Sequence, residues 1–253
     1  LGYKIKVLRR PNAVNGSIEG MMQPYILDRI ITGDARVLAD EIPDDSIDLA
    51  LLDPPFGIGF DYGDGYTDAP DEYPELVRWI VATCNRIVKP GGLSFVFQAQ
   101  IRLRLTWPMF PDDSRLFSAC KNFVQMQGDI PHAYDPVVFW RKPGTPLIKG
   151  KGRDYHVGNT ANTNNRGKAE AGFHECPRPL DTIMYMVENF CPVGGIVCDL
   201  FAGSGTTAVA AKLLGRQFVG FELRAHVAEQ ARARVEKTQA MHPAFAVEQE
   251  TFA

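Results

Sequence analysis

Asp199-Leu200-Phe201-Ala202-Gly203-Ser204-Gly205-Thr206 follows the short apolar run Ile196-Val197-Cys198 and precedes Thr207-Ala208-Val209-Ala210-Ala211, a helix-forming stretch. An apolar run, a glycine-bearing turn and a helical segment in that order make one unit of a parallel α/β sheet. The glycines let the chain turn sharply and let a ligand come close to the backbone. A helix beginning near Thr206 aims its unpaired N–H groups at the same place. The spacing predicts a strand over 196–200, a helix over 206–214 that Gly215 can end, a strand over 218–221 and a helix over 225–237. Glu222 closes that last strand, where an acid can accept both hydroxyls of a ribose. The residues of this half are those of a nucleotide-like cofactor site. A dinucleotide fingerprint would place a third glycine where Ala208 stands.

The same alternation appears near the start of the chain. Ser46 to Leu52 reads as a buried strand that runs into Asp53-Pro54-Pro55-Phe56 and stops there, because proline cannot donate to a ladder. Glu72 to Lys89 has helical periodicity, with Leu76, Trp79, Ile80, Thr83 and Ile87 on one face. Pro90-Gly91-Gly92 is expected to end that helix, and Leu93 to Phe97 to form the next strand. Leu180 to Phe190 reads as a helix with Pro179 in its first turn. Residues 98–178 break the rhythm. Only Val137 to Trp140 reads as a strand there, and 149–172, rich in Gly, Asn, Thr and charge, reads as a loop.

The 253 residues fit one domain carrying an insertion. Residues 1–21 are set aside as an upstream extension or an expression remnant, and 22–253 are read as the domain, with the insertion at about 98–173. Cys84, Cys120, Cys176, Cys191 and Cys198 are odd in number and scattered, which argues against a disulfide framework and a zinc site. Inert thiols, no signal peptide and no apolar run of membrane-spanning length point to a cytoplasmic protein without a metal. The net charge of −3 hides an uneven distribution. Residues 21–97 carry −9, 98–178 carry +5 and 179–253 carry −2. The insertion is therefore a basic island that would attract a phosphate backbone.

Asp53-Pro54-Pro55-Phe56 supplies what an exocyclic amine on a nucleobase requires. The lone pair of such an amine is delocalised into the ring, so the nitrogen is a poor nucleophile. Two acceptors, one for each N–H, localise that lone pair and aim it. The Asp53 carboxylate is one acceptor and the Pro54 carbonyl the other. The prolines stiffen the loop, and Phe56 offers a face for a base taken out of its stack. Read with the cofactor loop, the pattern is methyl transfer from S-adenosylmethionine to a base, with the catalytic loop first and the cofactor loop later in the chain.

Gly33-Asp34, Ser46 through Phe56, Lys89-Pro90-Gly91-Gly92, His174 through Leu180, and Asp199 through Glu222 together resemble the amino-group DNA methyltransferases of the permuted, beta type. The resemblance covers roughly 30–97 and 174–237. It implies a Rossmann-like α/β fold: a mostly parallel twisted sheet with helices on both faces, permuted motif order, and a short insertion for target recognition. It implies that both loops meet at the switch point of the sheet. It implies S-adenosyl-L-methionine as cofactor, with Asp34 on its adenine. Asp199, Phe201, Gly203 and Gly205 would line it, Ser204 or Thr206 would reach its carboxylate, and Glu222 would hold its ribose. His174, Arg178 and Pro179 match a family segment usually written with lysine before that proline, and are placed near the cofactor. Arg102, Arg104, Lys149, Lys151, Arg153, Arg166 and Lys168 are candidate DNA contacts, mostly to phosphate. Adenine N6 is the expected target, because related cytosine-N4 enzymes more often carry serine where Asp53 stands. Cytosine N4, an RNA amine, a catalytically silent nucleic-acid-binding module and a small-molecule methyltransferase stay open as alternatives. DNA is the expected partner and a homodimer is allowed for. The sequence names no restriction endonuclease partner.

Overall fold

The computed structural model describes residues 26–62, 67–125, 132–148, 152–158 and 178–239. In chain order the elements are β1 (Arg29–Thr32), α1 (Ala35–Leu38), β2 (Ile47–Leu52), α2 (Tyr73–Ile87), β3 (Val88–Phe97), α3 (Gln100–Thr106), β4 (Arg115–Gln125), β5 (His132–Arg141), β6 (Tyr155–Gly158), α4 (Leu180–Phe190), β7 (Ile196–Asp199), α5 (Thr206–Leu213), β8 (Gln217–Glu222) and α6 (Ala225–Lys237). The strands form one sheet in the order β1-β8-β7-β2-β3-β5-β4-β6. All neighbours pair in parallel except β5, which runs antiparallel to both β3 and β4. This is the mostly parallel, Rossmann-like arrangement expected from the sequence.

The strand order fixes where a ligand can bind. The connection out of β2 runs through α2 to β3 on one side, and the connection out of β7 runs through α5 to β8 on the other. β2 and β7 are neighbours, so the loops after them diverge and leave a crevice at the carboxyl ends of the strands. Asp53 and Asp199 begin the loops on its two walls.

β2 is buried along its whole length and has a helix layer on each face. Leu49 and Leu51 face α4, α5 and α6, packing with Phe95, Met186, Val209 and Ala228. Ala50 and Leu52 face α1 and α2, packing with Val77, Ile80, Cys84 and Phe221. Each fully buried leucine contributes roughly 1.5–3 kcal/mol. Asp48, 5 % exposed within this strand, accepts from Lys89 Nζ at 2.8 Å and from the Ile196 backbone N–H at 2.8 Å. That pairing compensates the buried charge and pins β7 beside β2.

Two expectations are corrected. Pro90-Gly91-Gly92 does not separate helix from strand. The helix ends at Ile87, β3 already begins at Val88, and the register jumps from Ile47↔Val88 to Leu49↔Leu93. The Pro-Gly-Gly segment is a bulge, which absorbs residues a ladder cannot pair. The face expected for α2 is the inward one: Ile80, Thr83 and Ile87 are buried and Leu76 and Trp79 pack against the same core, which Tyr73, Val77 and Cys84 extend. The described part of 98–173 holds three strands, not one: β4, β5 and β6 continue the sheet, and β6 lies inside the stretch read as a loop. Lys149, Lys151, Arg166, Lys168 and His174 lie outside the described residues. Among the described residues no helix is long and apolar enough to cross a membrane.

Candidate active site

The wall where the sequence places the cofactor, called the cofactor wall below, is organised by carboxylates that hold the main chain. Asp199, 6 % exposed, accepts from the Phe201 backbone N–H at 3.0 Å. Glu222, 8 % exposed, accepts from the Gly203 N–H at 2.9 Å and from the Arg224 N–H at 2.9 Å. Gly203 and Gly205 have φ of 48° and 76°, so the turn needs residues that tolerate the left-handed region. A Cβ on Gly205 would also lie 3.1 Å from Ile30 Cδ1 and 3.2 Å from Ala231 Cβ. Asp34 caps α1 through the Arg36 N–H at 2.9 Å. It stands beside Glu222, since Gly33 N–H donates to the Glu222 carbonyl at 2.9 Å. Phe201 meets Trp79 edge to face, with centroids 6.4 Å apart.

Ser204 and Thr206, expected to reach the cofactor's carboxylate, make these contacts within the protein. Their hydroxyls lie 3.0 Å from each other, and Arg234 of α6 donates to Thr206 Oγ1 at 3.0 Å and to Ser204 Oγ at 3.3 Å. Both residues are buried. In this structure the two hydroxyls brace the turn against α6.

Asp199, Glu222 and Asp53 bring three carboxyl groups to the ends of neighbouring strands. Burial pushes the Asp199 carboxyl up to about 7, and the charges of Asp53 and Glu222 act in the same direction. A hydrogen bond from Thr207 and the Phe201 N–H oppose them. Such a cleft favours a cation.

The catalytic wall is held by side chains from distant parts of the chain. Both oxygens of Asp53 are taken by Arg178, Nε to Oδ2 at 2.7 Å and an η nitrogen to Oδ1 at 2.7 Å. The other η nitrogen of Arg178 donates to Asp135 Oδ2 at 2.7 Å, and Lys121 Nζ donates to Asp135 Oδ1 at 2.9 Å. The guanidinium carbon lies 4.6 Å from the Phe97 ring centroid and 5.6 Å from that of Phe56. β5 is antiparallel, so its start delivers Asp135 to the edge where its parallel neighbours end. Arg178, expected beside the cofactor, is thus the direct partner of Asp53. Arg178 stands just before Pro179, the first residue ahead of α4, whose φ of −59° and ψ of 126° are not helical.

The loop after Asp53 is fastened from below and from both sides. Pro54 is buried and Pro55 half-buried. Gly57 has φ of 63°, and a Cβ there would lie 2.4 Å from Tyr73 Cβ. Tyr73 Oη donates to Gln98 Oε1 at 2.9 Å, as does Thr106 Oγ1, so the two secure a buried amide just past β3. Arg102 donates to the Gly57 carbonyl. Further on, Asp68 accepts from the N–H groups of Ile58 and Phe60. Arg224 donates to the Tyr62 carbonyl at 2.7 Å, which ties this loop to the cofactor wall.

The expected DNA contacts divide. Arg104 is exposed on α3, on the side of the sheet that carries the site. Arg153 precedes β6, the outermost strand on this side of the sheet order, with its guanidinium 5.7 Å from the Tyr155 ring centroid. Asp135, Lys121, Gln98 and Arg224 were not singled out in the sequence. Asp135 alone had a legible signal, as an acid at the entry to the strand read at Val137.

A family model described as DNA methylase, of the N6/N4 methyltransferases, matches residues 47–233. Type II methyltransferase M.BamHI of Bacillus amyloliquefaciens is 26% identical over 267 residues, covering 86% of this chain and 61% of that protein. The chain therefore spans less than two thirds of that relative. PvuII DNA methyltransferase (cytosine-N4-specific) superposes with a TM-score of 0.66 at 17% identity, covering 81% of this chain and 85% of its own. The M1.HpyAVI–SAM complex superposes with a TM-score of 0.63 at 19% identity, covering 82% and 98%. The two structures speak for the fold. The family match extends from the start of β2, through the Asp53 loop and the Asp199 loop, into α6, and the chain belongs to the N6/N4 DNA methylase family.

Proposed function

We propose that this chain transfers a methyl group from S-adenosyl-L-methionine to an exocyclic amine of a DNA base, with adenine N6 as the target. The observation that carries the reading is the adjacency of β2 and β7, which sets the Asp53 loop and the Asp199 loop on facing walls of one crevice. The cofactor wall fits its ligand chemically. The buried Asp199 carboxyl complements the cations of the cofactor and Glu222 suits its ribose, while Asp53 is paired with Arg178. Asp34, Phe201 and the open turn at Gly203 and Gly205 complete the set of residues that would hold it. When bound, the cofactor supplies an electrophilic methyl group and its own leaving group, so no covalent intermediate with the protein is required.

The chain's residues prepare the amine. Asp53 accepts one N–H and the Pro54 carbonyl the other, which concentrates the lone pair on nitrogen and fixes its direction. Phe56 supports the face of the base. Asp53 is the first acceptor for the proton shed as the new N–C bond forms. Asp53 also supports adenine over cytosine, on the family tendency for serine at this position in cytosine-N4 enzymes. Cytosine N4 is the second reading, favoured by the similarity to the PvuII enzyme.

The test is incubation with S-adenosylmethionine and unmethylated DNA, digestion to nucleosides and mass spectrometry. N6-methyladenine is the expected product. N4-methylcytosine would keep the mechanism and change the base. No methylated base, with cofactor binding shown separately, would reject the activity.

A further inference from the structure

Arg178 sits where the target base has to sit. Its guanidinium is flat, donates two N–H groups to the Asp53 carboxylate at 2.7 Å, and lies over the Phe56 ring. An adenine or cytosine entering the site would bring the same three features: a flat face, an N–H donor for Asp53 and a surface for Phe56. We propose that Arg178 is an internal stand-in for the base, and that base entry is an exchange in which the guanidinium leaves Asp53. The inference rests on the amine-gripping reading of Asp53.

The pair is placed for such a role. The two side chains are only 18 % and 26 % exposed, and a fork of two hydrogen bonds occupies both carboxylate oxygens. An amine therefore competes with the guanidinium for the Asp53 oxygens until the fork opens. A planar fork and a stackable face belong to arginine and not to lysine. Leaving Asp53 does not strand the cation. Arg178 already donates to Asp135 at 2.7 Å, and Phe97 supports it at 4.6 Å. The guanidinium can turn about the Asp135 contact and keep its charge paired. While the fork is closed, the Asp53 charge is neutralised and the loop is held in shape. The price of this arrangement is affinity, because only the opened fraction accepts a base.

The test compares wild type with Arg178→Lys and Arg178→Met on a synthetic duplex carrying a mapped methylation site, with 2-aminopurine in place of the methylated base. Fluorescence of 2-aminopurine reports extrusion without chemistry. Both variants are expected to give emission brighter than wild type by about threefold or more at saturating protein. On the unmodified duplex, KM for DNA falls several-fold in Arg178→Lys, which keeps the charge, while kcat falls less than about tenfold. Emission equal to wild type, with kcat down about a hundredfold and KM unchanged, would overturn the exchange and make Arg178 a partner of Asp53 during transfer. If Arg178→Met does not fold, Arg178→Lys decides by the same signs. A wild-type enzyme that methylates no base rejects the functional reading itself. An active wild type with unaltered extrusion in the variants rejects only the exchange.

Discussion

The two walls of the crevice hold their acids by different means. On the cofactor wall, Asp199 and Glu222 hold backbone N–H groups, mostly of residues two positions along the chain. On the catalytic wall, Asp53 is held by a side chain 125 residues away, and that side chain by another 43 residues away. A wall fixed by its own backbone is formed before the ligand arrives. A wall fixed by ion pairs re-pairs when a base enters, if the proposed exchange holds. The difference suits the two ligands of the proposed function: a small cofactor bound from solution, and a base that would first be taken out of its stack.

The sharpest way to break this contrast is Asp53→Ala. Loss of the carboxylate is expected to lower methyl transfer by about 10³-fold or more, read as methyl incorporation into DNA. Retained transfer would remove Asp53 from the amine. Glu222→Ala acts on the other wall, taking away both the proposed ribose acceptor and the acceptor of Gly203 N–H. Its expected effect is a dissociation constant for S-adenosylmethionine raised about 10–100-fold in calorimetry, with a smaller change in the transfer step at saturation.

Asp199 gives the cofactor wall a pH dependence. Burial holds its carboxyl at about 7, above the unfolded value, so the folded state takes up a proton that the unfolded state has released. Its contribution to stability is full below the ordinary carboxylate range and is lost as pH rises through about 7. Cofactor binding runs the other way. The cations of S-adenosylmethionine favour the ionised carboxyl, so affinity is expected to rise by up to about tenfold between pH 6 and 8. Asp199→Asn should flatten both profiles, and an unchanged slope would assign the dependence elsewhere. The smallest effect belongs to the surface. Arg104→Ala is expected to lower the salt slope of DNA binding by about one, and Arg153→Ala, beside the outermost strand β6, to leave it unaltered.

The same contrast separates what could be read in the sequence from what could not. The cofactor wall was legible because its parts are local: an apolar strand, Gly203 and Gly205 in the turn, and Glu222 at the next strand end. The helices α4, α5 and α6 were legible for the same reason: each is a local run of helix-forming residues between turn signals. The stretches 115–125 and 155–158 were missed because they form the less covered end of the sheet, where Leu116, Tyr134, Tyr155 and Val157 are exposed and no clean alternation survives. Pro90-Gly91-Gly92 was misread because a bulge and a helix stop use the same residues. The partnership of Arg178 with Asp53 had no local signature at all. It exists only because the sheet order brings α4 and the start of β5 beside the end of β2.

The most direct test of two separately built walls is a calorimetric titration of S-adenosylmethionine into DNA-free wild type and Asp53→Ala, paired with methyl transfer by the same two preparations. The account predicts dissociation constants within about threefold of each other while transfer is lost in the variant. Cofactor affinity that collapses together with transfer would contradict it, and would mean that the base site and the cofactor site are one cooperative structure.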